Sequence, residues 1–440
     1  RVDKKLVKNA IAVDEVFTEA AYQQAKELTG LENPGSVNQL KAWLADQDMP
    51  MESLAKKIVQ EKASQSDGIV AELLNLRLEL SKTSVKKYEA MARTVCRDGR
   101  IHGLLQFGGA SRTFRWAGRL VQIQNLPQNH LPDLDLAREI VKAGDEEMLD
   151  SLFGSVPGTL SELIRTAFIP KEGCRFIVAD FSAIEARVLA WLAGEEWVLD
   201  EFRGKGKIYE ATASRMFHIP QETIVKGHPN YEYRQKGKQA TLSCGYGGGV
   251  GALKAMGAKM PEEEMQPLVD AWRAANPNIV AFWNAMGRAA RKVIRSKTSA
   301  RVGKVTLYWQ DDKMLMRLPS GRNLCYQSPH FTMNRFGSDA IGYYAPNAAG
   351  QMVEQETFGG KLAENATQAI ARDILAHAML NLDAAGYPIV FHVHDEAVME
   401  MPIGEGSMED ACAVMGQPPD WASDLPLRAD GYECAYYRKD

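Results

Sequence analysis

What this sequence lacks narrows it first. No apolar run in its 440 residues approaches the ~20 that a membrane-spanning helix needs, so no membrane partner is expected. The six cysteines (Cys96, Cys174, Cys244, Cys325, Cys412, Cys434) lie at least 22 residues apart. That spacing excludes a CxxC pair and a compact metal-ligand cluster. A reducing, cytoplasmic setting is expected. The chain opens on "RVDKKLVKNAI", with neither Met nor a signal-peptide apolar region, and so reads as an internal start within a longer protein. Internal repeats and low-complexity segments are absent too.

At 45% hydrophobic content the chain can bury a large core, and its length favours two to four domains or subdomains. The net charge of −4 argues weakly against a nucleic-acid partner, but its distribution is uneven. From Lys82 to Arg119 nine Lys/Arg face only Glu89 and Asp98, a local balance of +7. From Arg203 to Lys238 eight face three, a balance of +5, and beyond Asp395 the chain turns acidic. A basic run is by itself often only a solvated helix face.

Residues 1 to about 95 read as helices, with Ser36 as a candidate N-cap and a long helical stretch from Ser66 to Val95. Residues 99–127 read as a hairpin and loop. "RFIVADFS" (175–182) reads as a strand ending in Asp180, followed by a helix. Residues 199–300 read as mostly helical, and strand-like pieces follow near 304–308 and 313–326. After a helix starting near Thr367, "YPIVFHVHDEAVMEMP" reads as two strands meeting at His394-Asp395-Glu396.

Two patterns carry chemistry. Arg234, Lys238, Leu242 and Tyr246 recur at steps of four, which on a helix gives one slowly spiralling stripe. It is either a ligand-facing surface or a solvated cationic turn running into a buried Leu/Tyr face, and the stretch alone does not choose. Asp180 and Asp395 each end a strand. Single strand-end acids are commonly structural, but two brought together beside cationic surfaces are what divalent cations and a polyphosphate require.

These residues carry a resemblance to the polymerase region of a family A DNA polymerase, in a bacteriophage-type form. "DFSAIEAR" (180–187) resembles the family's D-[YF]-S-x-I-E-x-R motif. Arg234 to Gly247 resembles R-x3-K-x3-[FY]-x3-Y-G, and His394-Asp395-Glu396 resembles its H-D-E motif. Thr113, Arg115 and "QNLP" (124–127) resemble an upstream T-x-R-x8-Q-N-[IL]-P element, and "ENATQAIARD" resembles a helix whose Gln, here Gln368, touches primer-template.

The resemblance implies an α+β right-hand fold with an antiparallel β-sheet palm and mostly helical thumb and fingers. The implied division is thumb 1–98, palm 99–190, helical fingers 191–335 and palm 336–440. It implies a template-directed DNA polymerase of DNA replication, a nucleotidyltransferase that adds dNTPs to a primer. Asp180, Asp395 and the Phe181 carbonyl would hold two Mg²⁺ ions, with Mn²⁺ able to substitute. Arg234 and Lys238 would clamp the triphosphate, with Tyr209 beside them. Leu242 and Tyr246 would face sugar and base, and Glu185 would exclude a 2′-OH. Its bland alternative is a first-turn acid favoured by the helix dipole. Arg115, Gln124, Asn125, Gln368 and His394 would touch DNA, and Glu396 would stand behind the metal ligands. A monomer is expected, working with primer-template, dNTPs and replication accessory proteins. No proofreading exonuclease core is expected in residues 1–95.

Four positions depart from the family's usual pattern: Phe114 stands for Gly, Ala183 for Gln, Tyr209 for His and Leu242 for an aromatic. Phe114 puts the backbone path near Arg115 in question, because a Phe lacks the freedom of Gly. Two rivals are a polymerase-like scaffold without chemistry and an RNA polymerase or reverse transcriptase sharing the palm. The intact acids and cations oppose the first, and Glu185 disfavours ribonucleotide use by the second.

Overall fold

The computed structural model describes residues 1–82, 85–334, 337–347 and 349–439. The boundary expected between residues 335 and 336 lies outside them. Five helices open the chain: α1 (Lys4–Thr29), α2 (Val37–Asp46), α3 (Lys56–Ser64), α4 (Gly68–Leu80) and α5 (Lys86–Thr94). Ser36 caps α2, its side chain accepting from the Gln39 amide, and Asp3 caps α1 in the same way through Leu6. The single long helix expected from Ser66 to Val95 is instead two helices, α4 and α5. Helical periodicity persists across the junction, but Leu73 and Leu74 of α4 pack into one cluster while Tyr88 and Met91 of α5 pack into another. One straight rod could not serve both.

The hairpin β1 (Leu105–Gln106) and β2 (Ala117–Gly118) follows, then α6 (Leu134–Ala143), α7 (Glu146–Phe153) and α8 (Val156–Leu163). Strand β3 (Cys174–Phe181) and helix α9 (Ile184–Ala193) lie as expected. Next come α10 (Glu196–Arg203), α11 (Ile208–Phe217), α12 (Glu232–Cys244), α13 (Val250–Ala255), α14 (Glu262–Ala275) and α15 (Pro277–Ser296). Strands follow, as the strand-like pieces near 304–308 and 313–326 led one to expect, so the segment 191–335 expected as helical fingers is helical only as far as Ser296. Strands β4 (Ser299–Val302), β5 (Val305–Gln310), β6 (Lys313–Arg317), β7 (Asn323–Met333), β8 (Asp339–Pro346) and β9 (Met352–Thr357) form a six-stranded antiparallel meander. Alternation explains it: Val305 and Leu307 on β5, Met314 and Met316 on β6, and Leu324 and Tyr326 on β7 are buried at every second position. Helix α16 (Gly359–Ala384), β10 (Ile389–Val393), β11 (Glu396–Pro402), α17 (Met408–Met415) and β12 (Ala429–Cys434) close the chain.

The central sheet runs β10-β11-β3-β12, all antiparallel. Its faces belong to different cores. Ile177, Ala179 and Phe181 pack with α9, α15 and α16, whereas Phe176 and Val178 pack with α1, α6, α8 and Tyr437. A third cluster, around Leu40, Leu44, Leu73 and Leu74, holds α2 to α4 together apart from both. On α12, Gly237 lies so close to the Tyr209 carbonyl of α11 that any Cβ would collide with backbone. The hairpin lies against β10, where Trp116 meets the His392 ring edge-on at 4.6 Å and the Arg372 guanidinium sits 4.5 Å from the Trp116 ring.

Cysteine spacing missed one cluster of ligand atoms. The exposed turn at 96–102 brings Cys96, Asp98 and His102 within 4.8 Å of one another, because one cysteine with two other residue types suffices. The 3.0 Å Asp98–His102 pair accounts for that arrangement.

Leu74→Ala should cost about 2–5 kcal/mol, a core truncation. Amide protection should fall across α2 to α4 and persist in β3; equal loss in both would contradict separate clusters. Burial, aided by Arg372, pushes the His392 imidazole down to about 4. The unfolded chain takes up that proton near pH 6.5 and the folded chain only near 4, so stability is lost as pH falls through this window. The loss between pH 7 and pH 5 should be about 2 kcal/mol and should vanish in His392→Gln. Denaturant unfolding at both pH values decides this, and identical pH dependence in the two proteins would refute it.

Candidate active site

Strand pairing assembles the acids. Antiparallel register sets Glu396 of β11 opposite Asp180 of β3, and the Phe181 amide donates to the Asp395 carbonyl at 3.3 Å. Asp180 and Asp395, 215 positions apart in sequence, therefore sit on adjoining backbone. Burial first, and the neighbouring Asp180 charge second, push the Asp395 carboxyl up. The Phe181 ring is buried in the core, so only its backbone is available to a ligand.

The oxygens of these acids are not equivalent. Asp180 Oδ2 accepts from Lys439 Nζ at 3.0 Å, while Oδ1 is buried and has no partner among the described residues. Such an orphaned anionic oxygen next to a second carboxylate is a hard-cation donor set. The residues present thus fit a divalent ion held by Asp180 and Asp395. Glu396 is different. It is fully buried, Oε1 accepting from the Tyr437 hydroxyl at 2.7 Å and Oε2 from Lys439 Nζ at 3.0 Å. Arg165 Nη1 in turn donates to the Tyr437 oxygen at 2.8 Å.

Opposite the acids stands α12. Its buried side is Gly237, Ala240, Ser243 and Cys244, packed on α11, so Arg234, Lys238 and Leu242 share the outward side. The helix ends at Cys244, and Tyr246 lies beyond it instead of completing a helical stripe. Leu242 is 48% exposed, which disposes of the buried-face alternative for that residue. Arg234 Nε donates to Glu210 Oε1 at 2.8 Å. The Tyr209 ring lies 5.6 Å from the Arg234 guanidinium and 6.0 Å from the Lys238 ammonium.

Between the two sides lies a cleft of about 360 Å³ lined by residues from every motif, including Arg115, Gln124, Glu185, Tyr209, Leu242, Gln368, His394 and Asp395. Glu185, in the first turn of α9, accepts from the Tyr246 hydroxyl at 2.8 Å and from Arg115 Nη1 at 3.5 Å. Burial and the Glu185 charge push the Tyr246 phenol well up, so it remains a donor. His394 has a left-handed backbone (φ 54°), and its Nε2 donates to the Gln124 carbonyl at 3.0 Å. Ala183 (φ 51°) makes the sharp turn into α9. Lys238 lines a neighbouring groove and not this cleft, and Asn125 is exposed outside both.

Phe114 answers the question raised by its departure from Gly. It takes the left-handed conformation (φ 63°), and its ring packs edge-on against Phe107 at 5.2 Å with Arg372 5.4 Å from its centre. The path toward Arg115 is thus the one a glycine would take. Sequence reasoning missed Lys439, Tyr437 and Glu210. "AYYRKD" carries no motif that marks the first two, and Glu210 is told from other acids only by the partner the fold gives it.

A family model described as DNA polymerase family A matches residues 13–430. A DNA polymerase of Bacillus phage SP02 is 50% identical over the whole of this chain, which spans 68% of that relative. DNA polymerase I of Pseudomonas aeruginosa is 25% identical over 89% of this chain, which covers only 37% of its length. Among solved structures, the POL domain of Pol1 from M. smegmatis, in complex with DNA primer-template and dNTP, matches 100% of this chain with a TM-score of 0.62 at 19% identity. This chain covers 67% of that one. An acid pair on adjoining strands beside a cleft that residues of every motif line, together with a family match over nearly the whole length, leads to one assignment: the chain belongs to DNA polymerase family A and is a DNA-directed DNA polymerase.

Proposed function

We propose that this chain extends a primer on a DNA template during replication, using two divalent ions held by Asp180 and Asp395. The observation that carries the reading is the unpartnered, buried Asp180 Oδ1 beside Asp395. Asp180 and Asp395 would hold Mg²⁺ there, and the bound ions would supply acidification of a primer 3′-OH and charge neutralisation on the triphosphate. The chain's own groups do the rest. Arg234, with Nε already engaged by Glu210, keeps both terminal nitrogens for phosphate oxygens. Lys238 adds a second cation one turn on. Leu242 and Tyr246 offer an apolar wall to sugar and base.

On this reading residues 1–98 act as thumb, the β3 and β10–β11 segments as palm, and the helices around α12 as fingers. Primer-template DNA and dNTP, the ligands of the M. smegmatis Pol1 structure, are the proposed partners here. Arg115, Gln368 and His394, all facing the cleft, would contact the duplex near the primer end, where minor-groove acceptors recur at every base pair. No helix among the described residues is long and apolar enough to cross a membrane.

The test is single-turnover primer extension with Mg²⁺. Asp180→Asn and Asp395→Asn should each slow it at least ~100-fold, since a lost ligand removes several kcal/mol of charge stabilisation. Primer-template affinity should stay within about threefold. Either variant keeping more than a tenth of the rate would sink the two-ion assignment.

Glu185 is held from two sides by Tyr246 and Arg115, so its carboxylate occupies a defined volume at the cleft wall. A ribonucleotide hydroxyl buried against it without a good partner costs about 1–3 kcal/mol. Glu185→Ala should therefore relax dNTP over rNTP selectivity by about tenfold or more. Unchanged selectivity would move the discrimination elsewhere.

A further inference from the structure

The acids at the strand ends outnumber the ligands that the two-ion reading needs, and one cation sorts them. Lys439 Nζ lies 3.0 Å from both Asp180 Oδ2 and Glu396 Oε2. It is not a loosely placed side chain. The Lys439 amide donates to Asn129 Oδ1 at 2.8 Å and its carbonyl accepts from the Asn129 amide at 2.9 Å. Two residues earlier the Tyr437 amide donates to the Phe168 carbonyl at 2.9 Å, and the Tyr437 ring is fully buried. The segment is thus strapped at Tyr437 and at the Lys439 backbone itself.

We propose that Lys439 is a positioning residue that decides which carboxylates hold the metal. By occupying Asp180 Oδ2 and Glu396 Oε2 it turns Asp180 Oδ1 toward Asp395 and withholds Glu396 from coordination. With Tyr437 on its other oxygen, each Glu396 oxygen already has a donor, and Lys439 supplies the countercharge a cation would otherwise provide. Removing the ammonium leaves Glu396 buried against Asp180 with nothing between them, and an added divalent ion then becomes the nearest available countercharge. The ion would bind more tightly and in the wrong place.

The inference rests on the two-ion reading, and its test separates the two. Lys439→Met keeps the length and apolar stem while deleting the charge. Mn²⁺ binding to the protein without DNA, read by electron paramagnetic resonance, should tighten at least ~3-fold. The single-turnover extension rate with saturating Mg²⁺ should fall at least ~10-fold. Adding Glu396→Gln should reverse both changes, bringing Lys439→Met/Glu396→Gln to within about threefold of Glu396→Gln alone. Lys439→Arg should retain intermediate values, since a guanidinium can bridge two carboxylates. A role confined to strapping the chain predicts a lowered melting temperature with unchanged Mn²⁺ binding and no rescue by Glu396→Gln, and that result would overturn the proposal. So would wild-type Mn²⁺ affinity and rate in Lys439→Met. If Asp180→Asn and Asp395→Asn both remained active, the underlying two-ion reading would fail instead, whatever Lys439→Met does.

Discussion

Carboxylate crowding is the constraint around which this molecule is organised. Asp180, Asp395 and Glu396 converge at the ends of two paired strands, where burial and mutual repulsion push Asp395 toward its neutral form. A fold tolerates such a concentration of like charge only if countercharge and hydrogen bonds are built around it. Here they come from residues distant in sequence: Lys439 on two of the acids, Tyr437 on one, and Arg165 behind Tyr437. The surrounding elements can be understood as what brings these groups to one place. The first and last thirds of the chain meet there through two hydrogen bonds between Asn129 and Lys439, one between backbones and one to the Asn129 side chain.

Opposite that anionic floor the wall that carries α12 is arranged by close helix packing. The backbone contact permitted by Gly237 sets α12 directly on α11, so Tyr209 and Glu210 reach the cations of α12. The two walls share a core: Ile177, Ala179 and Phe181 of β3 pack into the same cluster as α11 to α15, while the opposite face of the sheet packs on the N-terminal helices.

Much of this was legible in the sequence because its signals are local. A strand that ends in Asp180 and runs into a helix, a hairpin with acids at its tip, and a cation stripe at helical spacing each depend on a few neighbouring residues. The six-stranded sheet was half hidden: the alternation in β5 and β6 is clear, whereas β8 and β9 mix exposed apolar residues such as Tyr344 and Met352 into their outward positions. The break between α4 and α5 was invisible because both helices keep a helical period and differ only in the cluster they join. Lys439 and Glu210 could not be distinguished from ordinary surface charges, since what singles them out is a partner 259 or 24 positions away. Residues defined by their own type were readable, and those defined by a distant partner were not.

The left-handed Phe114 has a further consequence. A glycine at such a turn moves freely between conformations, and whatever follows it inherits that freedom. Here the same backbone shape is imposed by a ring wedged between Phe107 and the Arg372 guanidinium, at a cost of about 1–2 kcal/mol for the disfavoured conformation. The elbow ahead of Arg115 therefore behaves as a splint and not as a joint. Its disorder is removed when the chain folds, so less remains to be removed when the loop engages a ligand. A family position commonly served by flexibility is served in this polymerase by stiffness.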